Sequence, residues 1–383
     1  MSNIFLTPKV IINGNDALLN AKEQICTLGN KALIVTDLNM IKFGAIEKLT
    51  CILKECNIDF FIFSEANNEP DDILVTNGSK VFKDNDCDFL IALGGGSPID
   101  TMKGISILLS SSEELYSHLG KEIILKRPKM VAIPTTAGTG SEATQFTIIK
   151  DTKTKVKMLL KGSDLIPDLA IVDPNFTFSL PKSVTAATGI DALCHSLESF
   201  TSKKAQPLSN TFALSSIKRI LNNLETCYKE PQNIKAREEM CLASLEAGIS
   251  FNNSSVTIIH GMSRPLGSIF NIPHGLSNAM LLETCLTYIR EDIVSDLSII
   301  SKYCNIAPTE ASPFEASILL LNKISSLLRN LDIPSLKKFG VVKEEYLGYI
   351  DKMAKDAINS GSPSNTKKEL DEIQLAQLYK SLI

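Results

Sequence analysis

Four histidines occur in 383 residues, and three of them sit where they could share one ion. Asp191 and His195 stand four apart in Gly189-Ile-Asp-Ala-Leu-Cys-His195, a spacing that puts two side chains on one helix face. His260 and His274 lie in a second stretch that runs from His260 through Arg264 and Pro273 to Asn278, each followed by Gly. Two or three imidazoles with one carboxylate suit a first-row divalent cation and leave a position open for a substrate oxygen. The plain alternative is an ion pair between Asp191 and His195 on a helix surface. His118, in Leu115-Tyr-Ser-His-Leu119, has no partner at ligand spacing and reads as a surface or structural residue. Cys194 adjoins His195, so it points about one hundred degrees away from the ligand face, and it reads as a small buried hydrophobe. No Gly-x-Ser-x-Gly elbow and no Ser-His-Asp set is evident, which leaves a hydrolase little support.

Two further stretches have the chemistry to hold a phosphate. Gly94-Gly95-Gly96-Ser97-Pro98-Ile99-Asp100 follows an apolar run and precedes a helical pattern. Its glycines let backbone N–H groups approach an anion, Pro98 suits a first helical turn, and a helix N-terminus favours negative charge. A tight strand-to-helix turn is the alternative, because this is neither Gly-x-Gly-x-x-Gly nor a Walker loop. Pro134 to Glu142 repeats the device with Thr135, Thr136, Thr139 and Ser141 as hydroxyl donors. Two such loops at the carboxyl ends of strands reinforce each other, since open α/β sheets bind ligands there. Asp37, after the apolar run 32–36, is placed to accept both hydroxyls of an adenosine ribose, or else is a surface turn residue.

The elements that must position these residues fall into two halves. Lys31 to Thr36, Phe60 to Phe63, Phe89 to Leu93, Met130 to Ile133 and Leu169 to Val172 read as strands, with helical patterns through Cys56 and around Asp71 to Asn85. Such alternation of apolar strands with helices predicts a parallel sheet covered on both faces. Phe146 to Ile149 and Val156 to Leu160 read as a hairpin around polar Lys150 to Thr154. After Pro181 helical periodicities follow one another, over Ala186–Thr201, Pro207–Leu224, Ala236–Phe251, Leu276–Tyr288 and Pro313–Leu331. The expectation is therefore an α/β domain over residues 1–180 with a Rossmann-like parallel sheet, and an all-helical domain over residues 181–383.

Composition narrows the function classes. At 383 residues the chain exceeds what one core usually fills. A net charge of -4 argues against an electrostatic nucleic-acid binder, and the expected partner is a small molecule. The nine cysteines are scattered and contain no Cys-x-x-Cys pair, which suits a reducing cytoplasm. No basic leader and no uncharged apolar segment of membrane-spanning length is seen, so a membrane is not an expected partner.

Taken jointly, Gly94 to Asp100, Pro134 to Glu142, Gly189 to His195 and His260 through Pro273-His-Gly-Leu-Ser-Asn-Ala-Met280 resemble the iron-containing (group III) alcohol dehydrogenase family. Each motif is weak alone; their order and spacing along nearly the whole chain are specific. The resemblance implies a dinucleotide-binding α/β domain, a helical domain of the dehydroquinate synthase-like type, and a cleft between them. It also implies a metal held by Asp191, His195, His260 and His274. Cofactor contacts carry over to Asp37, Gly95, Gly96, Ser97, Asp100, Thr136, Thr139, Ser141 and Lys157, and Phe251 matches a residue lining the substrate cavity. Fe²⁺ is the family's usual ion, and the donor set accepts Zn²⁺ or Mn²⁺ as well. A homodimer or larger homo-oligomer is implied too.

One departure stands out. Many members have a second histidine four residues after the third ligand, where this chain has Arg264. A guanidinium there either holds a carboxylate, sulfonate or phosphonate of the substrate or makes an ion pair within the helical domain. The expected reaction is hydride transfer between NAD(H) and a primary alcohol/aldehyde pair, succinic semialdehyde and sulfoacetaldehyde being candidate anionic substrates. Asp37 favours NAD because its carboxylate repels a 2′-phosphate. The rivals are a metal- and NAD-dependent lyase or cyclase of the dehydroquinate synthase type, and a non-catalytic filament-forming scaffold.

Overall fold

The computed structural model describes residues 2–383. These form two compact units, Leu6–Ser179 and Leu180–Ile383, the second joined by the N-terminal residues up to Phe5.

The first unit is built on eight strands: β1 (Val10–Asn13), β2 (Lys31–Thr36), β3 (Asp59–Phe63), β4 (Phe89–Gly94), β5 (Lys129–Pro134), β6 (Phe146–Lys150), β7 (Lys157–Lys161) and β8 (Leu169–Val172). Six of them form one sheet in the order β1-β8-β5-β4-β2-β3, with every pair parallel. Strands β6 and β7 make a separate antiparallel hairpin. The helices of this unit are α1 (Ala17–Asn20), α2 (Lys22–Ile25), α3 (Leu38–Lys42), α4 (Ala45–Glu55), α5 (Asp72–Asp84) and α6 (Gly96–Ser110).

Side chains alternate between the faces of each strand, so the central strands feed two cores. Ala32, Ile34, Ile91, Val131 and Ile133 pack on one side with α4. Leu33, Val35, Leu90, Ala92 and Ala132 pack on the other with α6. That double burial is why β4 reads as an unbroken apolar run, Phe-Leu-Ile-Ala-Leu.

Three local features differ from the sequence reading. Strand β1 was not anticipated, being four residues long at the sheet edge. The helical pattern after β2 is two helices rather than one, because Gly44 takes a left-handed φ of 71° between α3 and α4. Cys26 and Cys56 are joined in a disulfide with Cα atoms 5.3 Å apart, within the usual range for such a bridge. The reading of the cysteines as scattered thiols is corrected at that pair.

The second unit is helical: α7 (Lys182–Thr201), α8 (Pro207–Lys229), α9 (Ile234–Asn252), α10 (Ile258–Phe270), α11 (His274–Ile289), α12 (Val294–Tyr303), α13 (Pro313–Asn330), α14 (Leu336–Phe339), α15 (Lys343–Asn359) and α16 (Glu372–Lys380). Helix α7 runs through its middle, with every residue from Gly189 to Thr201 buried, and it packs against α8, α9 and α11. Helix α10 has no counterpart among the expected helices because Pro265 lies inside it, where it removes one backbone donor and ordinarily marks a helix end. No helix among the described residues is long and apolar enough to cross a membrane.

Candidate functional site

In the α/β unit the two glycine- and threonine-containing loops meet at the C-terminal ends of β4 and β5. A Cβ added to Gly95 would lie 3.5 Å from Thr136 Cγ2 and Oγ1, and one added to Gly96 would lie 3.2 Å from Thr139 Cγ2. A Cβ on Gly94, whose φ is +155°, would come within 3.3 Å of Asp37 Oδ2. Bare backbone is thus kept at the mouth, with hydroxyls on one side and a carboxylate on the other, and helix α6 starts there without a side-chain cap from its N-cap residue, Gly95. Asp37 also caps α3, its Oδ1 accepting from the Asn39 N–H at 2.8 Å and the Met40 N–H at 3.3 Å.

Other residues expected at the cofactor make contacts within the unit. The Asp100 carboxylate accepts from the Ile148 N–H at 3.1 Å and from Ser141, which ties α6 to β6. Burial pushes its carboxyl up to about 6, against the pull of Lys103 and these hydrogen bonds. The Ser97 carbonyl accepts from Thr101 Oγ1 at 2.8 Å. Lys157, on the hairpin, pairs with Glu69 at 2.6 Å and is partly solvent-exposed.

In the helical unit, α7 supplies Asp191 and His195, α10 supplies His260, and α11 starts with His274. One ligand atom each of Asp191, His195 and His260 lies within 4.8 Å of the others, and all three residues are buried. Asp191 Oδ1 is 3.5 Å from His260 Nε2 and 3.7 Å from His274 Nε2. The His195 and His260 rings stack at 4.5 Å between centroids, and Phe251 stacks on the opposite side of His195 at 4.3 Å. Gly275 lets α11 begin against α7: a Cβ there would meet the Ala187 carbonyl oxygen at 2.6 Å.

Two residues that the sequence reading passed over complete this cluster. Glu198 is three residues beyond His195 and so on the same face of α7. Its Oε1 accepts from the N–H groups of Thr257 at 3.0 Å and Ile259 at 2.7 Å, from Thr257 Oγ1 at 2.9 Å and, more weakly, from the His260 N–H at 3.3 Å. Its Oε2 pairs with His260 Nδ1. One carboxylate therefore caps α10 and fixes the imidazole so that Nε2 faces Asp191, the arrangement that orients metal-binding histidines. Asn278, four residues after His274 and fully buried, donates its Nδ2 to Asp191 Oδ1 at 2.6 Å and contacts His260 Nε2 at 3.1 Å and His274 Nε2 at 3.3 Å. An amide nitrogen has two protons, so it does not satisfy all three acceptors.

The donor set fits a divalent cation on observable grounds. Three groups with lone pairs converge on the Asn278 amide nitrogen, which stands where a positive centre is favoured. His195 Nδ1 and Asn278 Oδ1 are buried without hydrogen-bond partners, a costly state for polar atoms in a site with no other use for them. The electrostatics favour ligation at Asp191 and His195, while His260 holds its proton until an ion displaces it. Burial alone would raise the Asp191 carboxyl, but His195, His274 and His260 beside it hold it well below the ordinary carboxylate range. Burial and the neighbouring imidazoles lower His195 to about 3 despite Asp191. His260 is lifted to about 9, against its burial, by Glu198 and Asp191.

Arg264 lies on α10 one turn beyond His260. Burial lowers its guanidinium below the ordinary value, with Glu198 opposing, yet among the described residues it makes no ion pair. Among the described residues its one hydrogen bond runs from Nη1 to the Ser360 carbonyl at 3.5 Å.

Comparison with known proteins decides the family. The iron-containing alcohol dehydrogenase model matches residues 8–174, and the C-terminal model of the Fe-containing alcohol dehydrogenase family matches residues 185–383. The chain belongs to the iron-containing alcohol dehydrogenase family. It is an oxidoreductase acting on alcohols. A 1,3-propanediol dehydrogenase of Citrobacter freundii is 35% identical over 98% of this chain and 97% of the relative. The solved 1,3-propanediol oxidoreductase superposes with a TM-score of 0.96 at 33% identity, covering 100% of both chains. A sulfoacetaldehyde reductase from Bifidobacterium kashiwanohense, solved in complex with NAD+, superposes with a TM-score of 0.88 at 25% identity, over 100% of this chain and 99% of that one.

Proposed function

We propose that this iron-containing alcohol dehydrogenase interconverts a primary alcohol and its aldehyde by hydride exchange with NAD(H). In this reading the dinucleotide rests on the loops of the α/β unit, and Asp191, His195, His260 and His274 hold the ion. The observation that carries it is the buried convergence of Asp191, His195 and His260, with Glu198 behind His260 and the exposed His274 at the edge of the cluster. A divalent cation bound there supplies Lewis acidity toward the substrate oxygen.

The chain's own residues do the rest. Asp191 balances the charge of the ion, and Glu198 keeps the Nδ1 proton of His260 on the side away from it. Phe251, stacked on His195, forms an apolar wall beside the ligands. At the other end, Gly95, Gly96, Ser97, Thr136, Thr139 and Ser141 line the diphosphate, and Asp37 takes the adenosine ribose, with its charge turned against a 2′-phosphate. Fe²⁺ follows from the family, although the intrinsic affinity order places Zn²⁺ above it. The working assembly is a homodimer or larger homo-oligomer; a monomeric mass by light scattering would refute that part.

The test is NADH formation from a panel of primary alcohols, using metal-free protein reloaded with Fe²⁺, Zn²⁺ or Mn²⁺. Turnover is expected only in reloaded protein, and equal turnover without metal overturns the assignment.

The substrate reading goes one step further. A half-buried guanidinium that makes no ion pair among the described residues is costly, and an anionic substrate group would offset that cost with charge-assisted hydrogen bonds. Arg264 therefore favours aldehydes bearing a carboxylate, sulfonate or phosphonate. Arg264→Ala is expected to lower kcat/KM for succinic semialdehyde or sulfoacetaldehyde about tenfold or more, and that for a neutral aldehyde of equal length much less. Equal losses on both classes remove the anion role.

A further inference from the structure

Within the α/β unit one cation is wholly enclosed. Lys103, on α6 seven residues after Gly96, is among the largest fully buried side chains of the protein. A buried ammonium demands partners for its three protons. Its Nζ donates to the carbonyl oxygens of Ser141 at 2.8 Å, Thr144 at 2.7 Å and Phe146 at 2.8 Å, and to Thr144 Oγ1 at 3.1 Å. Every one of these acceptors belongs to residues 141–146, the segment that carries the chain out of the threonine loop and into β6.

The choice of partners is informative. Asp100 and Glu142 are near enough to act on the ammonium electrostatically, yet among the described residues neither forms an ion pair with it. A lysine kept only to neutralise a carboxylate would sit on that carboxylate. This one is spent on three backbone carbonyls, and carbonyls fix a chain path. The path matters because the turn after Gly140, whose φ is +61°, brings Ser141 back toward α6, where Ser141 also bonds Asp100. Lys103 and Asp100 thus grip the same segment from one helix, and that helix begins at Gly96, facing Thr139.

We propose that Lys103 is a positioning residue for the dinucleotide: it holds the 134–141 loop against the N-terminus of α6 in the conformation that receives the diphosphate. The inference rests on the reading of these two loops as the nucleotide site. It assigns Lys103 no contact with substrate or with the metal ligands. Its loss should raise the dissociation constant for the nucleotide while leaving the metal centre and the response to alcohol concentration in place.

The experiment uses full-length, metal-loaded protein. Lys103→Met keeps length and volume but removes the charge, Thr144→Val removes one of the four acceptors, and Gly95→Asp puts a carboxylate into the loop where its Cβ has room. NADH binding is followed by the enhancement of nucleotide fluorescence, metal content by elemental analysis, and the KM for alcohol at saturating NAD+. Lys103→Met is expected to raise the NADH Kd about tenfold and Thr144→Val about two- to threefold, as loss of charge-assisted hydrogen bonds implies. Metal content and alcohol KM should stay within about twofold of wild type on the same grounds.

An unchanged Kd in folded Lys103→Met overturns the proposal. If Lys103→Met yields no folded protein, an unchanged Kd in Thr144→Val does the same. Gly95→Asp separates this failure from that of the underlying reading: if it too leaves NADH binding intact, the loops are not the nucleotide site. If it abolishes binding while both other variants bind normally, only the role of Lys103 falls.

Discussion

Lys103 in the α/β unit and Asp191 in the helical unit are both buried charges, and the two surroundings have little else in common. Lys103 is met by backbone carbonyls and a hydroxyl of a single loop. Asp191 is met by the side chains of Asn278, His260 and His274. In the first case the partners are permanent and complete, so the charge locks a shape. In the second, Asp191 and two imidazoles face one amide nitrogen, and His195 Nδ1 and Asn278 Oδ1 stay unsatisfied, an arrangement that could hold an ion. On the proposed function, the first arrangement is a fixed cradle for a large flexible nucleotide and the second a set of convergent lone pairs for a small cation.

The sharpest way to break that contrast is His260→Ala. If the helical cluster is arranged for a cation, removing one of its ligands should strip the metal and lower kcat/KM roughly a thousandfold or more. NADH binding to the α/β unit should be unaffected. Elemental analysis and a nucleotide titration on the same sample read both halves, and retention of metal with turnover sinks the site as drawn.

A smaller effect is expected one bond further out. In Glu198→Gln the amide has one acceptor where the carboxylate had two. Facing Thr257 and Ile259, the NH₂ group opposes two N–H donors; facing His260, it drives the Nδ1 proton to Nε2, the atom turned toward Asp191. Either orientation weakens the cluster, and the expected loss of metal affinity is about 10- to 100-fold. A chelator competition measures it. Wild-type affinity in this variant would mean that Glu198 serves α10 as a cap and nothing more.

How far these surroundings could be read from sequence follows from the same contrast. The parallel sheet was legible because strands buried on both faces, such as Phe89 to Leu93, leave continuous apolar runs. The candidate ligands stood out because histidine is scarce in this chain and Asp191 and His195 share a helical spacing. Glu198 lies on the same face one turn on, and the signal was present; a carboxylate behind a ligand looks like any helix-surface charge until the fold brings α10 to it. Lys103 was hidden for the opposite reason. A lysine in a helix is ordinarily read as facing solvent, whereas α6 is buried through most of its length. Asn278 gave no signal because an amide is not a typical metal ligand, and Pro265 concealed the helix that presents His260. The pairing of Cys26 with Cys56 joins residues thirty apart, and spacing alone does not specify a partner at that range.

The last expected effect tests the α/β side of the comparison and concerns pH. Glu142 is almost fully buried, with Oε2 lacking a partner, and burial lifts its carboxyl from 4.5 to about 7 although Lys103 pulls the other way. A carboxyl whose folded pKa is raised gives stability that is fully present below the unfolded value and lost as pH rises through the folded one. Glu142 should therefore help at pH 4.5 and cost stability by pH 8. Glu142→Gln mimics the protonated acid at every pH. The variant and wild type should melt together near pH 4.5, and the variant should be the more stable at pH 8, by on the order of 3 kcal/mol. Asp100, pushed up to about 6 in the same way, is present in both proteins. Melting curves of the two proteins across that range decide the matter. Parallel profiles would show that Glu142 is ionised throughout, held so by Lys103, and the cation of the nucleotide cradle would then be neutralising a carboxylate as well as fixing a loop.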